Sequence, residues 1–112
     1  MQPKTTSVPE LPSLNRLAGR RIVVTGAGSG IGAAIAQLFI SEGAKVVALD
    51  RNEAGILAWM KSGEGIALSM DVSDETQVKD AVHRAAQAMG GIDGLVNAAG
   101  IANQDLLSEV SL

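Results

Sequence analysis

Thr25-Gly26-Ala27-Gly28-Ser29-Gly30-Ile31-Gly32 is the stretch of this chain best suited to holding a ligand. Glycines have no Cβ, so a backbone rich in them can turn tightly and come close to a bound group. The run leaves a β-branched segment, Arg21-Ile22-Val23-Val24-Thr25, and leads into residues at helical spacing. A helix that starts on such a turn presents unpaired N–H groups and the positive end of its dipole, which together suit a diphosphate. Within the run, Gly26, Ser29, Gly30, Ile31 and Gly32 are the candidate contacts. Asp50 ends the next β-branched segment. A carboxylate there can accept hydrogen bonds from both hydroxyls of an adenosine ribose and repels a 2′-phosphate. Together the two features describe a dinucleotide site that favours NAD over NADP.

Those residues need strands to end where they do. Arg21–Thr25 reads as strand one. Ile31, Ala34, Ile35, Leu38 and Phe39 then recur at helical spacing as one apolar stripe, expected to face inward, with Gly43 ending the helix. Lys45–Asp50 is strand two. Asn52 to about Lys61 is a weaker helix, with Leu57 and Met60 expected to face in. Ile66–Met70 is strand three. Ser73 or Asp74 caps a third helix whose buried stripe is Val78, Val82, Ala85 and Met89, stopped by Gly90-Gly91. Gly94–Asn97 is strand four, and Gln104 to Glu109 has room for a turn of helix.

The strands are continuous apolar runs, as in sheets covered on both faces. Strand and helix alternate, which predicts an α/β fold of Rossmann type: a parallel sheet with crossover helices. Right-handed crossovers give the strand order 3-2-1-4. The switch point lies between strands one and four, and ligands bind above such a point, at the carboxyl ends of the strands.

Composition removes several other functions. The chain has 112 residues, 46% hydrophobic and 19% charged, with net charge -3, which is globular and leaves room for one domain. All three prolines precede Leu14, so residues 1–16 read as a flexible lead-in to a unit over 17–112. Without a basic stripe or aromatic platform, nucleic-acid binding is not expected. There is no cysteine and one histidine, His83. Disulfides and thiolate sites are thereby excluded, and no metal site is expected. No apolar run is long enough for a membrane helix, and residues 1–15 lack the apolar core of a secretory signal, so a cytoplasmic protein is expected. His83 lies off its helix stripe and is expected to be exposed. Trp59 is read as packing on the second helix.

Two glycine spacings overlap in the first turn. Gly26, Gly28 and Gly30 form G-x-G-x-G, which resembles many S-adenosylmethionine-dependent methyltransferases. Thr25, Gly26, Gly30 and Gly32 form T-G-x-x-x-G-x-G, which resembles the short-chain dehydrogenase/reductase family. The run alone leaves both open. Asn97-Ala98-Ala99-Gly100 favours the second, because it resembles that family's N-N-A-G motif with Ala98 in the second place. Leu17-Ala18-Gly19-Arg20 also resembles the family's entry segment. The resemblance spans Leu17 to Leu112.

This resemblance implies an oxidoreductase that moves a hydride between nicotinamide and an alcohol or carbonyl substrate, with a homo-oligomeric parent. It implies that Asp71 and Val72 lie beside the adenine, and that Asn97, Ala98, Ala99 and Gly100 pack near the cofactor. A basic residue in the place of Arg51 can help bind a 2′-phosphate in this family. NADP-binding members often have a cation where this chain has Ser29, so the family pattern still favours NAD. The family's catalytic Tyr, Lys and Ser are not expected here: the chain has no tyrosine, and Ser108 and Ser111 precede the family's next helix. The chain is therefore expected to bind and not to catalyse alone, as the cofactor-binding portion of a longer enzyme or as a non-catalytic fragment. It is further expected to leave the apolar face of strands one and four bare on the side of the third helix.

Overall fold

The computed structural model describes residues 15–100. Most of the lead-in and the turn expected over Gln104–Glu109 lie outside that range. The elements run β1 (Arg21–Thr25), α1 (Gly30–Ser41), β2 (Lys45–Asp50), α2 (Glu53–Leu57), β3 (Ile66–Ser69), α3 (Glu75–Met89), β4 (Gly94–Asn97), and a 3-10 turn at Ala98–Gly100. All strands are parallel, in the order β3-β2-β1-β4. That is the order expected from alternation and crossover handedness.

Strand alternation divides the core between two faces. Ile22 and Val24 of β1 join Val46 and Ala48 of β2 beneath Ala36 of α1 and Ile56 of α2. Val23, Val47 and Leu49 face the other way, against Ala81, Ala85 and Met89 of α3, with Met70 beside them. Val23, Val24, Val47 and Leu49 are wholly buried. Each such side chain stabilises the fold by about 1.5–3 kcal/mol. Because both faces are covered, the strands carry apolar residues at successive positions.

Two devices fix the ends. Asp74 caps α3, its carboxylate accepting from the Thr76 and Gln77 amides at 3.0 and 3.2 Å. At the other end of α3, Gly90 takes a left-handed φ of 80°, a conformation that costs any residue with a Cβ. At the amino edge of the sheet, Arg21 clamps Asp93 through Nε and Nη2 at 3.0 Å each, while its Nη1 donates to the Gly90 carbonyl at 2.7 Å.

Several packing expectations are corrected. In α1 the buried residues are Gly32, Ala33 and Ala36, while Ile31 and Leu38 are each 57% exposed. Ala34 is exposed too, and only Ile35 and Phe39 of the expected stripe are half-buried. The helix approaches the first turn so closely that a Cβ on Gly32 would collide with the Gly26 carbonyl and come within 3.1 Å of Ala98. Only small residues fit there, so Ile31 and Leu38 face outward, while Phe39 and Ile40 pack at the margin of the core.

The second helix is shorter than expected and ends at Leu57. Ile56 is wholly buried, while Leu57 is exposed and Met60 half-buried. Its Gly55 weakens the helix but allows contact with the glycine turn. Strand three stops at Ser69, although Met70 is buried. In α3, Ala81 joins Ala85 and Met89 on the buried line, and Val78 and Val82 flank it, half-buried. Successive positions four apart put those three directly over the sheet. The bare face is smaller than expected: α3 covers Val23 completely, and the exposed apolar residue is Leu95 of β4.

Candidate functional site

The chain turns sharply as it leaves β1. Gly26 has φ 67°, and a Cβ there would lie 2.5 Å from the Ala99 amide nitrogen. Only glycine fits this position, because the turn passes against the end of β4. The Ala27 amide then donates to the Leu49 carbonyl at 3.0 Å, tying the turn to β2. The Gly28 amide donates to Asp50 Oδ2 at 2.9 Å, and the other oxygen, Oδ1, accepts from the Asn52 amide at 2.8 Å. Asp50 thus points at the glycine turn, held by two main-chain donors. Ser29 precedes the first turn of α1 in extended backbone and makes no side-chain capping bond. The first amides of a helix have no partner within it, so the start of α1 retains donors for an anion.

Gly26, Ser29, Gly30, Ile31, Gly32, Asp50, Arg51, Val72, Ala98 and Ala99 line one cleft of about 500 Å³. A Cβ on Gly30 would meet no protein atom within 4 Å. The floor of the cleft is therefore glycine backbone, with room for a bulky group directly on the amides. The cleft also includes Met70, which the sequence reading did not select. Met70 follows β3 and its amide donates to the Asp50 carbonyl at 3.0 Å. Its place just after the third strand was the available signal.

Asp71 and Asn97 are not part of the cleft lining. Asp71 Oδ1 accepts from the Ser73 hydroxyl at 2.7 Å and the Ser73 amide at 2.9 Å, and Oδ2 stands 3.9 Å from Arg51 Nε. The hydroxyl first, then the amide and the Arg51 charge, hold the Asp71 carboxyl below the usual range. Asn97 is paired with Thr25 in the β1–β4 ladder, and its Oδ1 accepts from the buried Thr25 hydroxyl at 2.8 Å. That bond ties β4 to its neighbour just below the cleft, while Gly100 ends the 3-10 turn that follows. His83 is exposed on α3. Trp59 packs on the core and also donates from Nε1 to the Ala27 carbonyl at 2.8 Å. No local sequence signal predicts that bond across 32 positions.

A parallel sheet in this order, with a glycine turn and an acid at its carboxyl edge, defines a dinucleotide-type α/β protein. The sequence model of the short chain dehydrogenase family matches residues 20–112, so the chain belongs to that family. It is 40% identical over 103 residues to a 2,5-dichloro-2,5-cyclohexadiene-1,4-diol dehydrogenase of Sphingobium indicum, an alignment covering 88% of this chain and 41% of the relative. It is 41% identical over 97 residues to the 3-oxoacyl-[acyl-carrier-protein] reductase FabG of Thermotoga maritima, covering 82% and 39%. The crystal structure of a 3-ketoacyl-(acyl-carrier-protein) reductase from Brucella melitensis complexed with NADH superposes with a TM-score of 0.65 at 38% identity, over 70% of this chain and 33% of that one. The chain spans about two-fifths of the length of these curated relatives. Dehydrogenase and reductase relatives overturn the methyltransferase alternative that the G-x-G-x-G spacing had left open. Among the described residues, no helix is long and apolar enough to cross a membrane.

Proposed function

We propose that this chain is the dinucleotide-binding portion of an NAD-dependent oxidoreductase acting on an alcohol or carbonyl substrate. One observation carries the reading: the glycine turn and the Asp50 carboxylate meet, through the Gly28 amide, in the wall of a single cleft. The amides at the start of α1 would hold the pyrophosphate, favoured by the helix dipole. Asp50 would accept from the adenosine ribose hydroxyls. Val72 and Met70 would form the apolar side of the adenine pocket, with Asp71 behind them. Ala98 and Ala99 would let β4 approach the cofactor, with Asn97 and Gly100 supporting that strand end. A bound nicotinamide would supply the hydride acceptor or donor.

NAD is favoured over NADP because the negative charge of Asp50 opposes a 2′-phosphate. Arg51 leans toward Asp71 and is mostly solvent-exposed, so it offsets that repulsion only weakly. The NADH in the Brucella reductase supports the same choice. The 112 residues contain no tyrosine, so the general acid or base of the family has no counterpart here and the chain alone is inactive. The parent protein is read as a cytoplasmic homo-oligomer.

Calorimetric titration of the chain with NAD, NADP and S-adenosylmethionine tests the reading. Saturable binding of NAD, weaker binding of NADP and none of S-adenosylmethionine are expected. Absence of NAD binding by the folded chain would overturn the proposal.

A further inference from the structure

We propose that Trp59 is a positioning residue for Asp50, acting through the single peptide unit that joins Ala27 to Gly28. The inference rests on the dinucleotide reading above and adds a residue that does not line the cleft.

The indole Nε1 donates to the Ala27 carbonyl at 2.8 Å, and the Gly28 amide donates to Asp50 Oδ2 at 2.9 Å. That carbonyl and that amide belong to one planar trans unit, whose C=O and N–H point in opposite directions. Trp59 therefore holds one end of the plane and Asp50 the other. Ala27 is wholly buried, so its carbonyl needs a partner inside the protein. The indole supplies it from a ring that packs on the core formed by β1, β2, α1 and α2.

Gly55, one turn before Trp59, seats α2 directly on the same segment: a Cβ there would lie 2.6 Å from the Gly28 carbonyl oxygen. Gly28, on one side of this peptide, lacks the Cβ that would limit its rotation, so the plane is fixed by what its two ends bind. With the indole N–H removed, the plane gains freedom, its amide leaves Asp50, and the carboxylate is no longer aimed at the turn. The consequence falls on ribose recognition and on the exclusion of a 2′-phosphate.

The test is a double-mutant cycle on the whole chain, with Kd measured for NAD and NADP. W59F keeps an aromatic ring and removes the donor. It is expected to weaken NAD binding about tenfold while changing NADP binding less, so that discrimination narrows. In the D50A background, W59F is expected to have little further effect. Equal losses for both dinucleotides, or an undiminished effect of W59F beside D50A, would assign Trp59 a general structural role and overturn the proposal. So would NAD binding by W59F at wild-type strength. Failure of the wild-type chain to bind NAD would instead overturn the underlying reading.

Should W59F not fold, the wild-type chain gives an independent answer, because Trp59 is its one tryptophan and yields one indole N–H signal. Slow exchange of that proton, slowed further by NAD, supports the inference. Exchange at the rate of a free indole, with or without NAD, overturns it.

Discussion

The Asp50 carboxylate accepts from the Gly28 amide at 2.9 Å, so the acid at the tip of β2 and the turn after β1 form one unit. Asp50 also accepts from the Asn52 amide through its other oxygen. An asparagine would present an NH2 group to one of these two donors, leaving that pair opposed. D50N is therefore expected to lose both the negative charge and the side-chain orientation. Charge-assisted hydrogen bonds contribute about 1.5–3 kcal/mol, so NAD affinity should fall roughly ten- to a hundredfold. NADP affinity should fall less, because the repulsion of its 2′-phosphate is relieved. Calorimetry with both dinucleotides measures the two effects.

Gly32 and Gly30 lie in the same turn of chain and should respond to alanine in opposite ways. At Gly32 a Cβ would collide with the Gly26 carbonyl, where backbone meets backbone and neither yields cheaply. G32A is expected to cost about 3 kcal/mol or more in stability. At Gly30 the added Cβ meets no protein atom, and the strain is that of φ 57° alone, about 1–2 kcal/mol. G30A should fold, yet bind NAD weakly because its methyl group stands in the cleft. Urea denaturation and titration of each variant separate the two outcomes.

The strands were the most legible part of the chain. Three of the four strands end at the residues expected, Thr25, Asp50 and Asn97, and alternation with helices was enough to order them. The helix faces were less legible. Periodicity marked Ile31, Ala34 and Leu38 as the inner stripe of α1, but the close approach demanded by Gly26 and Gly32 turned Ala33 and Ala36 inward instead. Close packing selects small side chains, and a count of large apolar residues does not register them. Ala81 was missed in α3 for the same reason. In the site, glycine spacing and Asp50 were readable because their chemistry is local. The Trp59–Ala27 bond was not, because it depends on how distant segments fold together.

Arg21 and Asp93 predict the acid limb of stability. Hydrogen bonds from the Arg21 side chain and amide pull the Asp93 carboxyl down to about 2, and the Asp71 carboxyl is also lowered. An unfolded aspartate titrates at about 3.9, so the folded form holds its protons less tightly. The contribution is then complete above about pH 4 and is lost as pH falls toward 2. Arg21 stays charged throughout this range. D93N should have a lower Tm than the wild type at pH 5–7, and the gap should close by pH 2. Thermal unfolding followed by circular dichroism across pH 2–7 measures it; a gap that persists unchanged at pH 2 would contradict the assignment.

Leu95 and Leu38 are equally exposed, at 57% each, but they sit on different kinds of surface. Leu38 projects from α1, whose backbone bonds are satisfied within the helix. Leu95 lies on β4, which has a strand neighbour on one side only among the described residues. An edge strand offers unpaired amides and carbonyls as well as an apolar side chain, so a second chain gains main-chain bonds by docking there. The 112-residue chain by itself should therefore self-associate as concentration rises, mainly through β4. L95K places a charge on that edge and should shift the chain toward monomer by about tenfold in concentration or more, at about 1.4 kcal/mol per decade. L38K should have a smaller effect. Sedimentation velocity over a range of concentrations compares the two, and an equal response to both substitutions would show that side-chain apolarity, not the open strand, drives association.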